Sequence, residues 1–192
     1  CARLASGGVV CWGDNTYGQL ASGSLTPASS GTPLVAMENE GGGPRVIMDA
    51  EHLSAGRRFT CFVHAGGTRV SCAGSDGGGG GPLGNLGRGP SGGGNYPLAD
   101  DAILPVGSVV VEIESGGGFY EGVTCVRLAS GAVLGWGVNT YSELGPGPAS
   151  TPRTIDPLLF ASSRHVWLGY NTVWVAYDNA TFGPRIAALG VG

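Results

Sequence analysis

The chain repeats itself, and the repeat narrows the possible folds before any single residue does. Residues 1–20, CARLASGGVVCWGDNTYGQL, align without a gap on residues 125–144, CVRLASGAVLGWGVNTYSEL, with thirteen of the twenty positions identical. The offset is 125 − 1 = 124. Near its midpoint the chain reads TCFVHAGGTRVSCAG, where Cys61 lies 60 residues after Cys1 and 64 before Cys125. In this copy Cys72 and Gly74 come one residue later than Cys11 and Gly13 predict, so it carries a one-residue insertion. A degraded fourth copy starts near Trp167, where LGYNTVWVAYDNATFG echoes SAGRRFTCFVHAGG with Val173 in the cysteine slot. A period of roughly 50–60 residues is the signature of a propeller or a solenoid.

The repeat also explains the composition. Glycine plus proline is 38 + 12 = 50 of 192 residues, a level that would otherwise suggest low complexity. Here the glycines recur at turns. In Cys1–Trp12, apolar and β-branched residues flank Ser6-Gly7-Gly8, which reads as a hairpin whose glycine supplies positive φ. Ala65-Gly66-Gly67-Thr68 and Ala129-Ser130-Gly131-Ala132 repeat the device. A further apolar run precedes each hairpin at 45–50, 106–113 and 166–169, and Gly/Pro/Ser connections separate the units at 21–43, 75–97 and 146–157. No segment shows a capped 3.6-residue apolar period, so the expected structure is all-β with short helical turns at most.

Charge and length exclude several functions. The formal charge is −4, all ten cations are arginine, and no basic run exists to displace counterions from nucleic acid. The apolar stretches 106–111 and 164–176 are far short of the roughly 20 residues that span a membrane. The chain opens on Cys1 with no signal-peptide pattern, which reads as a fragment or a processed chain.

The pattern C-x-R-L-x-S-G-x-V-x-C-W-G-D-N-x-Y-G-Q-L resembles the repeat of the RCC1 (regulator of chromosome condensation) family. The likeness is strong over 1–20, good over 124–145, partial over 60–74 and faint over 167–182. The second unit departs from it: Ala73 replaces the family tryptophan, and a glycine-swollen 75–87 replaces N-x-x-G-Q-L-G. The third has Gly135 for the second cysteine. The resemblance implies an all-β, RCC1-like β-propeller of four-stranded antiparallel blades, usually seven. This chain holds about 3.5 blades, with units of approximately 1–44, 45–105, 106–163 and 164–192. Such an arc leaves faces for the missing blades of the same propeller.

The cysteines admit two readings. Cys1/Cys11 and Cys61/Cys72 each bracket one hairpin turn, within reach of a disulfide. The resemblance is to secreted bacterial RCC1-like repeats with paired cysteines, which implies an extracellular or periplasmic, oxidising compartment. The alternative is reduced, buried thiols in a cytoplasmic propeller. Cys125 is left over and reads as a buried thiol. No C-x₂₋₄-C spacing suggests zinc, and Asn179-Ala180-Thr181 is an N-x-T sequon of the kind that arises by chance.

Other motifs match chemistry only formally. Gly79–Gly84 satisfies G-x-G-x-x-G without the flanking strand and helix that a dinucleotide needs. Gly89–Gly93 satisfies G-x-S-x-G without the strand and helix of a nucleophile elbow. His52, His64 and His165 read as surface or turn residues, Glu112 and Glu114 as one solvated strand face, and Asp100-Asp101 as a turn. Trp12 and Trp136 recur beside glycine and read as blade-packing residues. Trp167, Tyr170, Trp174 and Tyr177 read as core or exposed edge more than as a binding patch.

The expectation is therefore a non-catalytic segment that binds another protein, without cofactor, metal or catalytic residues. Its rigid blades would display the loops 21–43 and 75–97. The alternatives are guanine-nucleotide exchange on a small GTPase, which some relatives perform, a secreted propeller that inhibits an enzyme, and a fragment without activity of its own.

Overall fold

The computed structural model describes residues 1–77, 84–89, 93–116, 122–139, 142, 144–145, 152–155, 162–169, 172–179, 181 and 183–189. The strands are set by alternation. Along Val9-Val10-Cys11 and along each later hairpin, residues of one parity turn to one side of the sheet, and a sheet covers that side.

Four antiparallel meanders result. The first holds β1 (Ala2–Arg3), β2 (Val9–Asp14) and β3 (Ser29–Val35). A ribbon of β4 (Met37–Glu40) and β5 (Gly43–Val46) follows. The second meander holds β6 (Ala50–Ala55), β7 (Phe59–His64), β8 (Val70–Ser75) and β9 (Asn95–Asp101). The third holds β10 (Val110–Gly116), β11 (Val123–Leu128), β12 (Val133–Gly137) and β13 (Arg153–Thr154). The fourth holds β14 (Ser163–Leu168), β15 (Val173–Asn179) and β16 (Gly183–Leu189). The ribbon joins the second meander edge to edge through a parallel bridge, Glu38 to Ala99. The helical content among the described residues is one 3₁₀ turn at Ala65–Gly67.

The core is three layers, one between each pair of successive sheets. Val9, Cys11 and Leu20 meet Ala50, Phe62, Ala73 and Ala99 between the first and second. Phe59, Cys61, Val63 and Cys72 meet Val110, Val126, Leu134 and Trp136 between the second and third. Val123, Cys125, Val133, Leu144 and Ile155 meet Val166, Val173 and Val175 between the third and fourth. Within a strand, then, the cysteines face forward to the next sheet and their neighbours face back.

This alternation separates the two repeated tryptophans. Trp136 faces back and is fully buried, its indole N–H donating to the Asn85 carbonyl of the preceding unit at 3.2 Å. Trp12 has the same phase, but no described sheet lies behind the first, and it is 48% exposed. The register also corrects the fourth repeat. Leu168 pairs with Val173 as Ala55 pairs with Thr60 and Ser115 with Thr124, so Val173 holds the threonine slot and Trp174 the cysteine slot.

A second repeated device joins the sheets. The hairpin glycines Gly7, Gly67 and Gly131 have φ of 84°, 67° and 86°, open to glycine at little cost. Each turn meets the start of the next unit's first strand. The Ala50 amide donates to the Gly7 carbonyl at 2.9 Å and the Ser163 amide to the Gly131 carbonyl at 3.1 Å. A Cβ on Gly7 would strike the Met48 carbonyl, and one on Gly67 the Val110 carbonyl.

Two segments expected as display loops are built differently. Residues 21–43 contribute β3 and β4 rather than a free loop. Of 75–97, residues 84–89 are largely buried and 95–97 begin β9, while 78–83 and 90–92 lie outside the described residues. Most of the G-x-G-x-x-G match and Ser91 of the G-x-S-x-G match fall there.

Candidate functional site

Both cysteine pairs are disulfides, Cys1–Cys11 and Cys61–Cys72, and Cys125 is a free buried thiol. Cys61 stands directly opposite Cys72 across β7 and β8, so the bond follows from the register. Burial pushes the Cys125 thiol pKa well above its ordinary value of 9.0, with the nearby Glu114 charge acting the same way. A group held as the neutral thiol is a poor nucleophile.

The densest polar cluster lies where the ribbon, the second meander and the segment between them meet. Glu38 on β4 and His64 at the end of β7 are buried, and Asp49 is partly covered. His64 Nδ1 is 2.8 Å from Asp49 Oδ1, and Nε2 is 2.8 Å from Ser71 Oγ and 3.4 Å from Glu38 Oε2. Arg69 Nη1 donates to Glu38 Oε2 at 2.6 Å and to Asp101 Oδ1 at 3.1 Å, while Nη2 lies 2.8 Å from His64 Nδ1. Burial works against the Arg69 charge, but hydrogen bonds and charge from Glu38 and then Asp101 outweigh it and hold its pKa above the ordinary value. Burial raises the Asp49 carboxyl, and the His64 hydrogen bond and the His64 and Arg69 charges more than reverse this.

Ser71, His64 and Asp49 thus stand in the order nucleophile, base, acid, with hydrogen-bond distances throughout. The arrangement is enclosed. Ser71 is 0% exposed and His64 1%, both inside the blade. Sequence reading missed this cluster and placed His64 at a surface turn. Asp101 and Asp100 were expected in a turn and instead end β9.

The remaining titratable groups are dispersed. Glu112 accepts from Arg127 Nε at 2.8 Å and lies 3.2 Å from His165 Nδ1, so it is an ion-paired strand residue. Burial, then the Glu112 charge, raises the Glu114 pKa. His52 is exposed. The Asn179-Ala180-Thr181 sequon falls partly outside the described residues, as does Tyr170.

The outer face of the last sheet is aromatic. Trp167 and Trp174 are direct cross-strand neighbours, each 44% exposed, and the His165 ring lies 5.8 Å from that of Trp167. Ile186, paired with Ala176, continues the face. Tyr177 turns inward to the core instead. No helix among the described residues is long and apolar enough to cross a membrane.

Repeated antiparallel meanders of three or four strands, glycine turns seated on the next unit and inter-sheet cores define an RCC1-like β-propeller segment. The Regulator of chromosome condensation (RCC1) repeat profile matches residues 1–19. The E3 ubiquitin-protein ligase HERC2 of Homo sapiens is 26% identical over 166 residues, and that of Mus musculus 30%, in each case covering 82% of this chain. The chain spans about 3% of the length of these curated relatives. Among solved structures, human WBSCR16 superimposes with a TM-score of 0.66 at 18% identity, over 97% of this chain and 44% of that one. Yeast RCC1 (Prp20), in a structure with bound Kap60, does so with a TM-score of 0.67 at 13% identity, over 95% of this chain and 40% of that one. At those identities the likeness is one of fold.

Proposed function

We propose that the chain is a non-catalytic propeller segment that binds a protein partner, in an oxidising and extracellular or periplasmic setting. The Trp167–Trp174 pair with His165 and Ile186 carries this reading: it lies on the face that earlier sheets turn to the following unit, so it fits a polypeptide surface, a partner protein or a further blade of the same propeller. Tryptophan supplies large contact area at small entropic cost and is enriched where partners bind tightly. The burial of Ser71 and His64 supports a non-catalytic role, because the nucleophile–base pair has no path to substrate. The two disulfides support the compartment. The solved yeast RCC1 is described with bound Kap60, and Prp20p with binding to Gsp1p and histones, which makes protein binding a known use of this architecture.

A photo-crosslinking residue placed at 167, with one at the exposed His52 as control, tests the proposal. The expected result is a discrete protein adduct at 167 that is lost in the Trp174→Ala variant and absent at 52. The same adducts at both positions would overturn it. Release of labelled GDP from a small GTPase, assayed alongside, separates simple binding from nucleotide exchange.

A further inference from the structure

We propose that Glu38, Asp49 and His64 form a site for a first-row divalent cation of borderline softness, zinc above others, for which Arg69 is the competing occupant. One ligand atom from each residue lies within 4.8 Å of the others. Zinc bound by imidazole nitrogen and carboxylate oxygen at about 2.0–2.2 Å needs ligand separations of about 3.3 Å, so closure is a contraction of up to about 1.5 Å. The three residues come from β4, from the segment before β6 and from the end of β7, so an ion would tie the ribbon to the second meander.

Two observations show that Arg69 leaves the site incompletely satisfied. Glu38 is fully buried, and its Oε1 has no hydrogen-bond partner. A buried carboxyl oxygen without a partner is costly. Second, His64 Nδ1 lies 2.8 Å from an acceptor, Asp49 Oδ1, and 2.8 Å from a donor, Arg69 Nη2. If Nδ1 carries a proton it opposes the guanidinium, and if it carries a lone pair it opposes the carboxylate. Beside an Asp49 carboxylate, a single ring nitrogen that either donates or accepts serves one of these two contacts at a time. A cation resolves the conflict: it takes the Nδ1 lone pair together with the Asp49 and Glu38 oxygens, and Arg69 retains Asp101. An outer partner is already in place: Ser71 Oγ, 2.8 Å from Nε2, can accept from an Nε2–H when the ion takes Nδ1. Calcium and magnesium prefer all-oxygen ligands, so they fit the imidazole poorly.

The charge count agrees. Three carboxylates, Glu38, Asp49 and Asp101, surround one guanidinium, and a divalent ion with Arg69 turned to Asp101 balances them. The inference concerns the blade junction and does not depend on the partner-binding reading.

The test is titration of the 192-residue chain, disulfides intact, with Zn²⁺ against a chromogenic chelator, and with Co²⁺ read by its visible spectrum. One equivalent should bind. Arg69→Gln should tighten binding at least tenfold, because the competitor is gone. Asp49→Asn, at a partly exposed position and so compatible with folding, should weaken it at least tenfold. The Nδ1 resonance of His64 should shift on Zn²⁺ addition in ¹⁵N spectra of the native protein, a readout that needs no substitution. No saturable uptake by either the native chain or Arg69→Gln overturns the site. So does uptake that Asp49→Asn leaves unchanged with the His64 resonance unmoved, since the ion then sits elsewhere.

Discussion

Gly135 stands directly opposite Cys125, at the position Cys72 holds opposite Cys61. A Cβ there would lie 2.5 Å from Leu144 Cδ2 and 2.6 Å from Ile155 Cδ1. The third hairpin therefore uses apolar side chains in the volume where the second has a disulfide. Gly135→Cys is expected to lower stability by about 1–3 kcal/mol through overpacking and to form no third disulfide. Mass spectrometry after oxidative refolding, with a thermal melt, checks this; a third bond with a raised Tm would refute it. Glu114 gives a pH dependence. Its folded pKa lies above the ordinary 4.5, so its contribution is fully present below the unfolded pKa and is lost as pH rises through the folded one. Stability should fall from this group as pH rises past its ordinary value of 4.5, and Glu114→Gln should flatten that slope in urea melts taken at each pH.

The elements repeat their contacts even where their letters differ. Asn15 Oδ1 accepts from the Leu20 amide at 3.2 Å, and Asn139 Oδ1 from the Leu144 amide at 2.7 Å. In the second unit Asp76 Oδ1 accepts from Leu86 at 2.9 Å. The interval from anchor to leucine is 20 − 15 = 5 in the first unit but 86 − 76 = 10 in the second, so inserted glycines hide the equivalence from a gapless alignment. The hairpins, their cysteine pairing and the strand class were legible because they depend on neighbours in sequence. The Glu38–His64–Arg69 cluster was not, because a parallel bridge between residues 38 and 99 assembles it. Trp12 and Trp136 share a letter and a phase but not a burial, because packing depends on which sheet lies behind a residue and not on its own strand. Trp136→Ala is accordingly expected to cost about 3–5 kcal/mol, and Trp12→Ala within about 0.5 kcal/mol of zero, by denaturant titration. Gly67→Ala should cost more than Gly66→Ala. Both have positive φ, but only the Gly67 Cβ meets a neighbouring carbonyl. Equal losses would show that the seat on Val110 contributes nothing.

At the scale of the whole molecule, stability is a sum over units and the layers between them, as in other linear repeats. Each disulfide closes a loop spanning 10 or 11 residues in sequence. Closing a loop of that size is worth about 2–3 kcal/mol in the chain-entropy model. Cys61→Ala/Cys72→Ala should lower Tm and also weaken the adjoining layers, because both sulfurs belong to the core shared with the third sheet. Cys1→Ala/Cys11→Ala touches the layer shared by the first and second sheets, leaving the fourth sheet's amide exchange unchanged. Hydrogen exchange by segment distinguishes the two; uniform loss of protection in both variants would contradict a layered ledger.

The seating of each hairpin glycine on the strand that follows has a temporal consequence. Gly7, Gly67 and Gly131 all precede, in synthesis order, the strands they receive. As the polypeptide leaves the ribosome, each hairpin seat is finished before its occupant emerges, whereas the β4–β5 ribbon waits for β9. Growth is by apposition, one unit laid on the completed face of the last, so contacts between successive units form over short stretches of nascent chain.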